Sequence, residues 1–401
     1  MVRLMATMVG VTVANNYYVQ PLLADIAEHF GLTVTKAGAL AMSAQIGTAF
    51  GMFLFVPLGD KFERRSLTSN LLLAAAFSLV LVATAMSAPW LSVALFAVGA
   101  TAATVHVLVP FAAHLAAPWE RGRVVGTVLG GLLFGVLLAR TFSGSLGAVL
   151  GWRAVFWVAA AAMLALSVIA RWKLPKDAPE TPISWPALMH SAFELVRRHA
   201  MLREAACLGA LSFSAFTAFW TTLVFFLQSP AYGYGSVAAG LFGLVGAAGA
   251  SGAPFVGHLA DKYGARATIR IALWMTLISF AILGLFGKSL TGLILGVVAM
   301  DLGIQSSHVS NQTRIYRIDP NARSRLNMVY MVCYFIGGAI GSYFGTVAWH
   351  LYGWLGVCGF GAASQVLALI VLAVSGRNDP QASGDMTHTP SENAGAPVDI
   401  Q

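Results

Sequence analysis

The chain has 401 residues, 58% of them hydrophobic and only 10% charged, and a formal net charge of +8. An ordinary soluble domain carries about 25% charged residues, so a water-facing globule is excluded: too few charges exist to cover its surface. The basic excess does not point to a nucleic-acid partner either, because the cations are sorted by the ends of apolar runs, as shown below.

A bilayer-spanning helix needs about 20 mostly apolar residues. Such stretches recur at 4–24, 36–58, 67–87, 91–114, 123–149, 151–171, 203–227, 235–258, 267–287, 290–313, 326–349 and 351–375, twelve in all. They are too long and too uniformly apolar for the alternating strands of an outer-membrane barrel, which leaves helices as the spanning element. The first run is too long for a signal-peptide core and carries Asn15, Asn16, Tyr17, Tyr18 and Gln20, so it is expected to be retained. Asn16 and Gln20 stand four apart on one helical face and, with Tyr17, are predicted to line a cavity; interhelical packing accounts equally well for the rest. After span 2 comes a charged loop with Asp60, Lys61, Arg64 and Arg65. Span 4 holds His106, and span 5 holds Arg140, a charge in the middle of an apolar run.

Residues 172–202 are polar, with Pro175, Pro179, Pro182 and Pro186, and then place Leu188, Ala192, Leu195 and Val196 on one helical face. They read as a linker ending in a short amphipathic helix on the membrane surface, with Arg197 and Arg198 near lipid headgroups. Span 7 contains Trp220, and Gln228 directly follows it. The loop after span 8 contains Asp261, Lys262 and Arg266, and span 10 contains Asp301, Gln305, His308 and Asn311. Beyond Ser375 the tail is rich in Pro, Gly, Ser and Asn and is expected to be disordered. Cys207, Cys333 and Cys358 all fall within spans, so they offer neither a disulfide framework nor a metal-ligand spacing and read as small core residues.

Charge sorting sets the orientation. Of the 24 basic residues, Lys36, Arg153 and Lys288 fall on one side, Arg140 lies inside a span, and all the others fall on the opposite side. The positive-inside rule puts that richer side, and both termini, in the cytoplasm.

A degenerate repeat organises the chain at an offset of 201 to 202 residues: Asp60-Lys61 returns as Asp261-Lys262, His106 as His308, and Gly151-Trp152 as Gly353-Trp354. The expected division is a six-helix bundle over 1–171, the linker over 172–202, a second six-helix bundle over 203–375 and the tail over 376–401.

The segment Gly257-His258-Leu259-Ala260-Asp261-Lys262-Tyr263-Gly264-Ala265-Arg266 fits the loop pattern G-x-L-[AS]-D-[RK]-x-G-x-[RK]. On it the sequence resembles the major facilitator superfamily across 1–375, and within it the bacterial drug and metabolite exporters of the arabinose-efflux-permease-like group. The first copy, Val56 to Arg65, departs from the pattern, with no leading Gly and with Glu63 at the second Gly. The resemblance implies an all-α membrane protein, two pseudo-symmetric bundles of six helices each, that works as a transporter. It implies a monomer in the bacterial inner membrane, no cofactor, and a small-molecule substrate, protons and lipid as partners. The loop residues Asp60, Lys61, Arg64, Arg65, Gly257, Asp261, Lys262, Gly264 and Arg266 would form a reversible cytoplasmic gate or, more plainly, fix topology and loop shape. Cavity-lining helices of the family would carry Gln45, Trp220, Gln228, Gln305 and Asn311.

Span 5 of the family's antiporters has a pattern resembling G-x8-G-x3-G-P-x3-G. The register Gly126, Gly135, Ala139, Arg140, Gly144 keeps its spacing but replaces Gly by Ala139 and Pro by Arg140. Such glycines also serve plain close packing. Charges inside a membrane usually face a cavity or a partner. Counted inward from Arg314 and Arg123 at about 1.5 Å per residue, Asp301 and Arg140 lie at comparable depths of roughly 20 and 25 Å. Asp301, His106 and His308 are the proton-coupling candidates, set against a permanent ion pair or structural hydrogen bonding. Arg140 is the candidate for an anionic substrate group. The expected activity is proton-coupled efflux of a small organic solute. Uptake or passage of an organic anion, or a transporter-like sensor or scaffold, are the alternatives. No metalloprotease, nucleophile-elbow or phosphate-loop motif supports an enzyme.

Overall fold

Each apolar run becomes a helix because, in lipid, backbone N–H and C=O groups have no water to bond and must satisfy one another within the segment. The protein is described from a computed structural model over residues 1–117, 119–177, 185–250, 252, 264–319 and 322–376. The helices are α1 Val2–Ala14, α2 Val19–Phe30, α3 Val34–Phe55, α4 Arg64–Ala83, α5 Ala88–Thr101, α6 Thr104–Leu115, α7 Arg121–Leu150 and α8 Trp152–Lys173. They continue with α9 Trp185–Arg198, α10 Ala200–Gln228, α11 Ser236–Ala250, α12 Ala265–Phe286 and α13 Leu290–Tyr316. The stretch Arg323–Gly376 is two rods, α14 over 323–352 and α15 over 354–376, turned at Gly353 (φ 60°, ψ −147°). Only glycine adopts that backbone without strain. Gly151, its counterpart in the repeat, turns α7 into α8 with φ 81°.

Two predicted spans are broken rods. The first is α1 and α2 joined through Asn15–Tyr18, and it reaches Phe30 rather than stopping near residue 24. The fourth is α5 and α6, separated at Ala102 and Ala103. In span 8 the only described helix is α11; residues 251 and 253–258, like 377–401, lie outside the described residues. Among the described residues nine helical stretches are long and apolar enough to cross a membrane, counting α5 with α6 as one and α14 with α15 as one. The divided α14–α15 stretch, the broken first span and α11 bring the count to twelve. Their outward faces are apolar: Phe77, Val93 and Leu285 are more than 60% exposed, a surface suited to lipid tails and not to water. Cys358 is buried as expected, but Cys207 is exposed, because the outer face of a membrane rod needs no polar covering.

Within the first half α1 packs on α7, α3 on α5, and α4 on α8; in the second, α10 packs on α14–α15 and α12 on α13. The halves meet along two seams, α3 against α14 and α7 against α11. Both seams are closed near one end. A Cβ added to Gly38 of α3 would stand 2.1 Å from Thr346 Oγ1 of α14, and one added to Gly240 of α11 would stand 2.6 Å from Arg140 O of α7. Thr141 Oγ1 donates to Gly240 O at 3.1 Å. On the same side Asp25 of α2 faces Ser236 and Gln228 from the second half.

The amphipathic α9 buries Leu188 and Ala192 and leaves Phe193 70% exposed. Its Ser191 hydroxyl accepts from Arg325 of α14.

Candidate functional site

Side chains from both halves converge beside the α7–α11 seam. Between α1 and α2 the backbone tightens to bonds three residues apart, Asn15 N–H to Thr12 O and Asn16 N–H to Val13 O. The helix that resumes carries Gln20, whose Oε1 accepts from Arg140 Nε at 2.8 Å. The Arg140 guanidinium carbon lies 4.0 Å from the Trp220 ring centre, 4.8 Å from that of Tyr17 and 5.8 Å from that of Phe216. Phe216 and Trp220 stand four apart on α10 and so share the face that the guanidinium covers. A desolvated cation over an aromatic face is held by about 2 kcal/mol, which keeps this arginine in place without an anion. Its Nη2 is buried and makes no hydrogen bond.

Asp301 is 3% exposed, and its Oδ2 is likewise buried with no hydrogen-bond partner. A Cβ added to Gly246 of α11 would stand 2.8 Å from Trp220 Cζ2 and 3.0 Å from Asp301 Oδ2. The carboxylate and the indole therefore border the same glycine. Asp301 and Arg140 are within electrostatic reach of one another, yet they form no ion pair within 4.0 Å. Gln20, Pro21, Arg140, Trp220 and Ala239 line a narrow crevice that leaves no room for a water molecule in this conformation.

A second layer leads away from this centre. Tyr334 stacks on Phe213 at 4.0 Å and meets the His308 ring at 4.6 Å, and His308 Nδ1 shares a hydrogen bond with the Tyr330 hydroxyl at 3.0 Å. His106, from α6 in the other half, is within electrostatic reach of His308. Tyr334 stands in the same relation to Asp301 and Tyr17. Of the three proton-coupling candidates, only His308 is in ring contact with this aromatic cluster; Asp301 and His106 are within electrostatic reach of Tyr334 and His308 respectively.

Tyr17, Gln20, Arg140, Trp220 and Asp301 are brought together as a set. Asn16 is not among them: its Nδ2 donates to Thr48 Oγ1 of α3 at 3.3 Å, because the tightened backbone at 15–18 breaks the register that would have put Asn16 beside Gln20. Gln228 also lies elsewhere, exposed at the end of α10. Gln45 is buried at the α3–α14 seam, its Oε1 3.4 Å from where a Cβ on Gly338 would sit. Gln305 is half-buried one turn beyond Asp301, and buried Asn311 donates to Ser307 Oγ at 3.4 Å. Sequence reasoning missed Phe213, Phe216, Tyr330 and Tyr334. The signal was there: 213, 216 and 220 recur at three and four residues, and 330 and 334 at four, the spacing of one helical face.

Comparison with known proteins decides what this membrane architecture is. The model of the Major Facilitator Superfamily matches residues 5–342, with a second match over 246–394. The chain belongs to the major facilitator superfamily. Similar superfamily-type relatives include the uncharacterized transporter YgaY of Escherichia coli O157:H7, 43% identical over 92% of this chain and 94% of that one. The probable transporter SCO4007 of Streptomyces coelicolor is 35% identical over 92% of this chain and 86% of its own length. Among solved structures, the inward-facing, unoccupied bacterial homologue of the human lysosomal transporter Spinster matches with a TM-score of 0.70. It is 17% identical and covers 93% of this chain and 94% of that one, a likeness of fold.

The superfamily loop residues make local contacts. Arg64 Nη1 pairs with Asp177 Oδ2 of the linker at 2.7 Å, and His114 Nε2 lies 3.4 Å from the other oxygen of that carboxylate. Arg65 Nε lies 3.4 Å from Glu63 Oε1, and Lys61 lies over the Phe62 ring. In the second superfamily copy Gly264 has φ 83°, and Arg266 donates to Leu372 O at 2.6 Å. Gly257, Asp261, Lys262 and the side chain of Asp60 lie outside the described residues. Of the span-5 glycines, Gly135 lies against the backbone of Gly10 and Gly144 against that of Gly240, whereas a Cβ on Gly126 would meet nothing within 4 Å among the described residues.

A charge cluster that sequence reasoning overlooked sits where Arg266 leads. Glu204 of α10, 8% exposed, accepts from Arg314 Nη1 of α13 at 3.2 Å and lies 3.6 Å from Arg266 Nη2. Arg314 itself is only 7% exposed. Removing one member of such a buried pair leaves the other charge uncompensated. Glu204→Gln is therefore expected to destabilise the purified protein by on the order of 3 kcal/mol, read as a lowered midpoint of thermal unfolding in detergent. An unchanged midpoint would show that the cluster does not hold α10 to α13.

Proposed function

We propose that this superfamily transporter exports a small organic solute by alternating access, in exchange for protons, from a site at Asp301 and Arg140. The observation that carries the reading is the pair of buried, opposite charges that border one indole, each with an unsatisfied polar atom, and do not join. Desolvation disfavours the charged form of any buried carboxylate, and an approaching cation restores it. A carboxylate whose distance to an arginine changes with the rocking of two bundles therefore gains and loses a proton in step with that motion. The superfamily membership and the likeness to transporters support this reading.

Charge sorting supports a bacterial inner-membrane location with both termini in the cytoplasm. Under that orientation the closed ends of the two seams, at Gly38 and Gly240, face the periplasm. A second reading, passage of an organic anion, rests on the unpartnered Nη2 of Arg140.

The test is reconstitution of the full chain into liposomes loaded with a pH-sensitive dye, followed by addition of small organic solutes one at a time. Solute-induced proton movement is expected for at least one of them. Solute flux that leaves the internal pH unchanged would remove the proton from the cycle and favour the anion reading. Arg140→Lys and Arg140→Gln then separate charge from fork geometry.

A further inference from the structure

The central site has two ends of opposite charge, and each lacks a partner on a different kind of atom. At Arg140 the Nε–H is taken by Gln20, and the ring contacts with Trp220 and Tyr17 occupy its surroundings. What remains is the outer edge of the guanidinium, where Nη2 is buried with no acceptor. That planar edge matches a carboxylate, which accepts two parallel N–H bonds. At Asp301 the buried Oδ2 has no donor, and the Trp220 ring lies beside it. A carboxylate next to an aromatic wall suits an ammonium group, which both attract.

We infer that the solute is a small zwitterion, its carboxylate on Arg140, its ammonium on Asp301 and its body against Trp220. This deepens the transport reading above and rests on it. A simple anion would satisfy Arg140 and leave the Asp301 oxygen unpaired in a dry site; a simple cation would do the converse. An unpaired buried charge is costly. A neutral solute compensates neither. Only a solute carrying both charges satisfies both ends, and it adds no net charge to a site whose own charges already cancel. Arg140 and Asp301 also flank one indole, so a single side chain separates the two charges they would hold and the body of the solute is short.

The test uses the purified full-length protein and the standard L-amino acids with γ-aminobutyrate. Each is compared with its amide, which keeps only the ammonium, and its N-acetyl form, which keeps only the carboxylate. Binding is read from tryptophan fluorescence and from the thermal midpoint. At least one zwitterion is expected to bind saturably and about tenfold or more tighter than either blocked form. Arg140→Gln should erase its advantage over the amide, and the near-isosteric Asp301→Asn its advantage over the N-acetyl form. The two variants report independently, so misfolding of one leaves the other decisive. Blocked forms binding as tightly as their parents, or no zwitterion binding at all, overturns the inference. Solute-induced proton movement by a singly charged or neutral compound, with no zwitterion bound, sinks the substrate class and keeps the transporter reading. Zwitterion binding with no flux does the reverse.

Discussion

Asp301→Asn is expected to abolish solute accumulation driven by a pH gradient in proteoliposomes, by about a hundredfold or more, while downhill exchange of the same solute continues at a raised half-saturating concentration. The substitution keeps the shape of the side chain and removes its proton chemistry. Asparagine carries no proton between the two faces, so the gradient no longer drives the solute uphill; about 2.7 kcal/mol of lost driving force is a hundredfold. The loss should fall on coupling, because Asp301 has no ion pair or hydrogen bond at Oδ2 that the fold would miss. If Asp301→Asn accumulates solute as the parent does, Asp301 is not the proton carrier. His308, packed on Tyr334, and His106, within electrostatic reach of His308, become the groups to change next.

The second large effect is expected at the α7–α11 seam. Gly240 stands so close to α7 that a Cβ would lie 2.6 Å from Arg140 O and 3.3 Å from Gly144 Cα. Gly240→Leu cannot be accommodated by rotating a side chain, since the obstacle is backbone. Overpacking of this kind costs about 1–3 kcal/mol, which shifts an equilibrium between two conformations by roughly 5- to 150-fold. The closed end should therefore open. A cysteine introduced at Leu223, which lines the crevice and is 1% exposed, is expected to react with a membrane-impermeant thiol reagent about tenfold or more faster in the Gly240→Leu background. Gly126→Leu, on the same α7 where a Cβ meets nothing within 4 Å among the described residues, serves as the matched control and should leave labelling unchanged. Equal rates in both backgrounds would mean that the Gly240–Arg140 approach does not seal this side.

The two effects separate what the site does from how it is reached. Asp301 and Arg140 were visible in the sequence because each is a lone charge in an apolar run, and lipid makes such residues too costly to keep without a use. The aromatic residues around them were harder to see: in a membrane core an aromatic at helical spacing reads as ordinary packing. Only its position against a guanidinium distinguishes Trp220 from Phe77, which faces outward.

The loop signature shows the same limit from the other side. It identified the superfamily, since a contiguous pattern is legible residue by residue. It did not reveal that Arg64 turns to Asp177, 113 positions away, or that Arg314 is held by Glu204, 110 positions away. Glu204 looked like one more charge at a span boundary.

What the sequence determined by itself was everything encoded in local runs. The rods came from apolar stretches of bilayer length, and the turns at Gly151 and Gly353 from a repeated Gly-Trp. Backbone satisfaction in lipid leaves a long apolar run no alternative to helix, so these features need no knowledge of neighbours. What only the tertiary structure decided was the azimuth of each rod and its partner. Asn16 turned to Thr48 and Gln20 to Arg140 because a few tightened peptide bonds reset the helical phase between them. Periodicity records which face of a helix avoids lipid; which side chain that face meets depends on the packing of other rods, and no local run of residues carries that information.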